Sequence, residues 1–222
     1  IFGKYLLQVD NISTITEDCQ IKLINNIDST IIFGDSIIID DKEKKLKINN
    51  NVIIKGNELA GKCKNMEFES NYTDINMYNN PVLWLNEVQL TGEKIVLYTM
   101  NNNLDSMYID RNPFIVYPND SLEYYNQIKG KILNGKFKKN EIDYINVSGN
   151  GNMKYFEQQK EDKEKVSVND IKASDIKLSF KKNNIKKVFC FEEIESNNLE
   201  IEKPNIVNQD NKLFYLEGFR LE

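Results

Sequence analysis

The stretch LTGEKIVLYTMNNNLDSMYIDRNPFIVY, residues 90–117, carries the pattern on which the chain is built. Gly92 precedes an apolar run in which Ile95 and Leu97 stand two apart. An asparagine-rich turn follows, then a second run with Met107 and Ile109, then the break Asn112-Pro113 and a third run. Period-two alternation in short runs bounded by Asn, Asp and Gly predicts half-buried β-strands. Asparagine tolerates left-handed backbone, and proline at a strand start costs no ladder donor.

The same order of parts recurs along the chain. Gly34, Gly61, Gly92, Gly130 and Ser174 each precede an apolar run, and a polar turn follows about ten residues later. Asn51, Asn80, Asn112 and Asn150 open the return runs, and Asn26 closes an earlier unit. The period drifts from about 25 to 40 residues. Units of this kind cannot bury an apolar face alone and must stack. The expectation is an all-β protein of about 14 to 18 strands forming one domain over residues 1–222. At most one short helix is expected, in DSLEYYNQIKG at 120–130, which reads equally as an extended insertion. FEQQKEDKEKVSVND at 156–170 reads as a solvated loop or hairpin tip, and EEIESNNLEIEKPNIVNQDN, from Glu192 on, as irregular surface.

Composition narrows the function. There are 29 basic and 34 acidic residues, interspersed, for a net charge of −5, so nothing resembles the basic face of a nucleic-acid binder. With no histidine, the commonest general base and the commonest zinc ligand are missing. Cys19, Cys63 and Cys190 lack metal-ligand spacing and read as buried small apolar residues, with one disulfide compatible. No metal, cofactor or catalytic site is expected. Asp40-Asp41 and Glu192-Glu193 read as solvated pairs. The first residues, IFGKYLLQVD, begin without methionine, as a fragment of a longer precursor would.

The side chains in phase within each repeat are Ile37, Ile39, Leu46, Ile48, Val52 and Ile54, then Met66, Phe68, Ile75, Met77, Val82 and Trp84. Ile95, Leu97, Met107, Ile109, Phe114 and Val116 continue the series. Leu133, Phe137, Ile145, Val147, Ile176, Leu178, Val188 and Cys190 complete it. Taken one by one, each fits a sandwich core.

Several longer motifs resemble the OstA/LptA-like family of lipopolysaccharide-transport proteins, which includes the periplasmic N-terminal domain of the LptD translocon. They are NNPVLWLNEVQLTGEKIVLY, LDSMYIDRNPFIV, YNQIKGKILNGKFKKNEIDYINVSGN, VNDIKASDIKLSF and the closing LEGFR, in family order over nearly the whole chain. Two departures stand out. AGKCKNMEFE carries about two extra residues after its glycine, and CFEEIESNNLEIEK lacks the proline usual after the last strand of that block.

The resemblance implies an elongated open β-jelly-roll of two facing antiparallel sheets, located in the periplasm. It implies an apolar groove shielding the acyl chains of lipid A, lined by Ile37, Ile39, Ile48, Ile54, Phe68, Met77, Val82, Trp84, Ile95, Leu97, Met107, Ile109, Phe114, Val116, Phe137, Val147, Ile176 and Leu178. The implied partners are lipopolysaccharide and other jelly-roll transport proteins, or further copies, paired end to end through KYLLQVDNIS and LFYLEGFR. The competing expectation is a structural β-solenoid or interaction module with a closed interior. A carbohydrate-acting enzyme is a distant third.

Overall fold

In the computed structural model the chain runs as arms that double back on one another. The structure describes residues 1–24, 29–57, 59–69, 71–101, 103–119, 122–139, 141–158, 165–181, 184–202 and 215–222. Among these there are seventeen strands and no helix. All seventeen belong to one continuous antiparallel ladder, and the ladder is folded along a line of corners into two facing sheets.

In chain order the strands are β1 (Tyr5–Val9), β2 (Ile12–Ile24), β3 (Ser29–Asp40), β4 (Lys45–Lys55), β5 (Leu59–Glu69), β6 (Asp74–Tyr78), β7 (Val82–Leu85), β8 (Val88–Thr91) and β9 (Lys94–Met100). They continue with β10 (Asn103–Asp110), β11 (Phe114–Asn119), β12 (Leu122–Lys129), β13 (Ile132–Lys138), β14 (Glu141–Gln158), β15 (Lys165–Lys181), β16 (Asn184–Phe191) and β17 (Glu195–Glu202). Sheet one runs from β1 through the near halves of β2 to β5, then β6, β9, β10, β13 and the near halves of β14 and β15, to β16. Sheet two takes the far halves of the same long strands, with β7, β8, β11 and β12 between them, and ends at β17.

The corners explain the recurring asparagines. Two consecutive residues take positive φ at Glu17-Asp18, Asn50-Asn51, Asn79-Asn80, Arg111-Asn112, Gly149-Asn150 and Glu192-Glu193. Such a pair turns the strand without changing its parity: Ile48 before it and Val52 and Ile54 after it all face the core. After glycine, Asn is the residue that adopts this backbone most readily, which is why the repeat is visible in the sequence. The facing arm passes each corner at Gly3-Lys4, Gly34-Asp35, Cys63-Lys64, Gly92-Glu93, Gly130-Lys131 or Ala173-Ser174. The N–H groups of Lys4, Lys64, Glu93, Lys131 and Ser174 each donate to a carbonyl of the left-handed pair, as Lys131 does to Gly149 at 3.0 Å.

Several expectations are corrected here. The anchor of the second unit is Cys63, not Gly61: Gly61 lies two residues earlier, opposite Ile54 and Leu83, which accounts for the extra residues in AGKCKNMEFE. Of the two readings of DSLEYYNQIKG, the extended one holds: Leu122–Lys129 is strand β12, because its two neighbours, β11 and β14, need a partner with extended backbone. Phe156, Val166 and Val168, expected in a loop, form a small buried cluster of paired strand residues. ESNNLEIE, expected to be irregular, is the edge strand β17. Asn26 lies outside the described residues.

The C-terminal segment differs most. LFYLEGFR is not an edge strand; Leu213 and Phe214 lie outside the described residues, and 215–222 form no strand. The segment is a strap across the outer face of sheet two. Leu216 packs on Phe114 and Val116, and Phe219 on Tyr215 and Tyr125. Polar groups of the sheet hold its backbone. Gln127 Oε1 accepts the Leu216 N–H at 2.8 Å, Gln89 Nε2 donates to the Arg220 carbonyl, and Gln89 Oε1 accepts the Glu222 N–H. Lys62 pairs with the Glu222 carboxylate at 2.7 Å.

Candidate functional site: the cleft between the sheets

The two sheets are close-packed for most of their length. Ile37, Ile48, Met77, Ile95, Met107, Ile109, Val147, Ile176 and Leu178 are almost wholly buried there, with Ile54, Phe68, Leu97 and Phe137. Ile39 is half-buried at the margin of the same core. These are the in-phase residues of the repeat, and the structure places them in a closed interior.

Four other candidates face away from it. Phe114 and Val116 lie on the outer face of sheet two under the strap, while Ile115 and Tyr117 face the core. Val82 is paired across Thr91 with Phe114, and Trp84 across Gln89 with Val116, so both share that outer face. The reason is the proline. Pro81 and Pro113 themselves fill the first buried position after the left-handed pair, as Val52 and Cys19 do elsewhere, so the inward series continues at Leu83 and Ile115.

The accessible space between the sheets is elsewhere. A cleft of about 680 Å³ opens where the far ends of β11, β14 and β15 diverge from β16. Its apolar surface includes Val88, Met153, Ile171, Ile185, Val188 and Cys190, with Tyr117 and Tyr155 among them. Glu87, Glu157, Lys186 and Lys187 supply charges of both signs at the same opening. It is continuous with the main core, because Val88, Met153 and Tyr117 belong to that core and Tyr155, Ile171, Ile185, Val188 and Cys190 pack against it.

Of the residues in phase in the sequence, only Val188 and Cys190 line this cleft. None of the eighteen expected to line a lipid groove does. Tyr117, Met153 and Tyr155 were legible in principle: they continue, without change of parity, from Met107 and Ile109 and from Ile145 and Val147. Which part of the continuous stripe would be open was not legible.

Three titratable groups of the cleft are shifted toward their neutral forms. Burial pushes the phenols of Tyr117 and Tyr155 up, with Tyr155 adding to the first and the Glu157 carboxylate to the second, and burial also raises the Cys190 thiol. Cys19, Cys63 and Cys190 are all free. Among the described residues no group of three or more His, Cys, Asp or Glu is placed to hold a metal ion. No helix among them is long and apolar enough to cross a membrane.

The fold and the cleft together define an elongated open β-jelly-roll with a recess of mixed polarity between its sheets. No protein-family model matches the chain, and a search of the curated proteins finds no match.

Proposed function

We propose that the protein is a non-enzymatic carrier that shields the acyl chains of an amphiphile of the lipopolysaccharide class on its way through the periplasm. The observation that carries this reading is the cleft: a recess whose apolar side, with Val88, Met153, Ile171 and Val188, is continuous with a core rich in Ile, Met and Val, and whose other side is polar and charged. Its volume is that of an ordinary ligand site, on the order of 300–1,000 Å³. Each methylene moved from water to such a surface contributes about 0.8 kcal/mol, so part of one acyl chain suffices for useful affinity. Lys186 and Lys187 suit the phosphates of such a lipid, and Met153 suits chains of variable shape.

The ends of the sheets support a bridging role. At one end β1 leaves Tyr5, Leu6, Leu7 and Val9 exposed, Leu6 at 67%. At the other, β16 and β17 are edges, and Phe189, Phe191 and Ile194 are exposed beside them. Unpaired edges with apolar side chains are templates for a further strand. The partner is another jelly-roll module or a second copy, joined to β1 at one end and to β16 or β17 at the other. Burial of Cys19 and Cys63 fits unpaired thiols to an oxidising compartment.

The dense packing of Ile37, Met77 and Ile109 favours the second reading, a structural or interaction module with no lipid site. Photocrosslinking separates the two. A photoreactive residue at Val188 should capture lipopolysaccharide, while one at Ile53, exposed on the outer face, should not. Equal capture at both positions, or none at Val188, would remove the carrier reading.

A further inference from the structure

Tyr117 closes the inward series of β11 and stands at the cleft beside Tyr155 and Asn126. It is 9% exposed, and its hydroxyl is buried with no hydrogen-bond partner among the described residues. A buried tyrosine hydroxyl ordinarily finds a partner, and one left without it costs stability. The nearby amides are already engaged. Asn126 Oδ1 accepts the Phe156 N–H at 2.9 Å, and Asn119 Nδ2 donates to the Phe156 carbonyl. Both hold the sheet where β12 parts from β14. Met153, Ile171 and Val188 supply apolar surface in the same lining, and Glu157, Asn169 and Lys187 supply polar groups.

We propose that Tyr117 is the polar anchor of the cleft, donating its hydroxyl hydrogen to an ester or amide carbonyl oxygen that the bound amphiphile carries near the junction of headgroup and acyl chain. This rests on the carrier reading and adds a selectivity to it: acyl chains joined through a carbonyl are preferred over ether-linked alkyl chains. An unpartnered buried donor discriminates in this way because the ligand that lacks the acceptor leaves the donor unsatisfied. Burial, with Tyr155 close by, pushes the phenol up, so the group remains a donor at any physiological pH.

The test compares two amphiphiles of equal chain length, 1-lauroylglycerol with an ester carbonyl and 1-O-dodecylglycerol without one, each titrated calorimetrically below its micelle concentration. Tyr117→Phe should weaken the ester about five- to tenfold and leave the ether within twofold. The same variant, free of lipid, should melt at the same temperature as the parent or a few degrees higher, because an unsatisfied buried hydroxyl is removed. Unchanged ester affinity, or equal loss for both compounds, would overturn the anchor while the carrier reading stood. A destabilised variant would show the hydroxyl to be satisfied in the empty protein, and would overturn it too. A parent chain that bound neither compound would remove both the carrier reading and the anchor.

Discussion

A Cβ added to Gly92 would lie 2.2 Å from Cγ2 of Ile109 on the facing arm. The same approach recurs at the other corners: Gly3 against Ile15, Gly34 against Ile48, and Gly130 against Val147, all within 2.5 Å. In each pair the partner is β-branched and precedes the left-handed pair by two positions, so a γ carbon stands where the glycine's side chain would begin. Where the residue in that position is unbranched, the small side chain returns. Cys63 passes the corner that follows Met77, and Ala173 the one that follows Cys190. The glycine of the repeat is thus a packing residue matched to its neighbour.

Gly92→Ala should therefore cost about 1–3 kcal/mol by overpacking. Ile109→Met, which has no γ branch, should relieve part of that cost in the double variant. Urea unfolding of the four proteins of the cycle measures the coupling. Strict additivity would show that Ile109 does not set the requirement for glycine.

End-to-end association should depend on β1. Leu6→Pro distorts the edge strand β1, which lies outside the core, and should abolish concentration-dependent sedimentation of the parent protein. Leu216→Pro, which alters the strap, should leave that association intact. A monomeric parent at high concentration, or assemblies indifferent to Leu6→Pro, would count against pairing through this edge.

The strap should be load-dependent on pH. Leu216→Ala should lower stability by about 2 kcal/mol, since the side chain closes over Phe114 and Val116. The Lys62 ammonium, hydrogen-bonded to the Glu222 carboxyl, holds it below the ordinary glutamate value of 4.5. A depressed folded-state value means the stabilisation is present above about 4.5 and is lost as pH falls through the lower value. The pair is partly solvated, so the effect is small. The protection factor of the Leu216 amide, the intrinsic exchange rate divided by the observed one, should fall on acidification, and Glu222→Gln should flatten that dependence. A protection factor independent of pH in the parent would contradict it.

Thiol chemistry should report the state of the cleft. Burial pushes Cys63 up to about 12 and raises Cys19, and both side chains lie in the core. Cys190, half-buried at the cleft, is the one an alkylating reagent can reach. Iodoacetamide at mildly alkaline pH should modify Cys190 alone in the native protein, and bound amphiphile should slow it. Modification of Cys63 at a comparable rate would mean that the corner opens.

The sequence by itself determined the arms. Inward side chains alternate along every strand, and asparagines recur where left-handed backbone is needed, so strands, corners and most core residues could be named from local pattern. Ile37, Met77, Ile109 and Leu178 are buried where that pattern put them. Tertiary structure decided which face is covered and where the interior opens. Phe114 is buried because Leu216, remote in sequence, lies over it, and Gln89 meets the strap across 131 positions. A period-two pattern cannot tell a face covered by the opposite sheet from one covered by a strap, because both demand apolar side chains. The cleft follows from where β12 parts from β14 and β16 stands off β11, a divergence set by the packing of whole sheets rather than by the residues of any one strand.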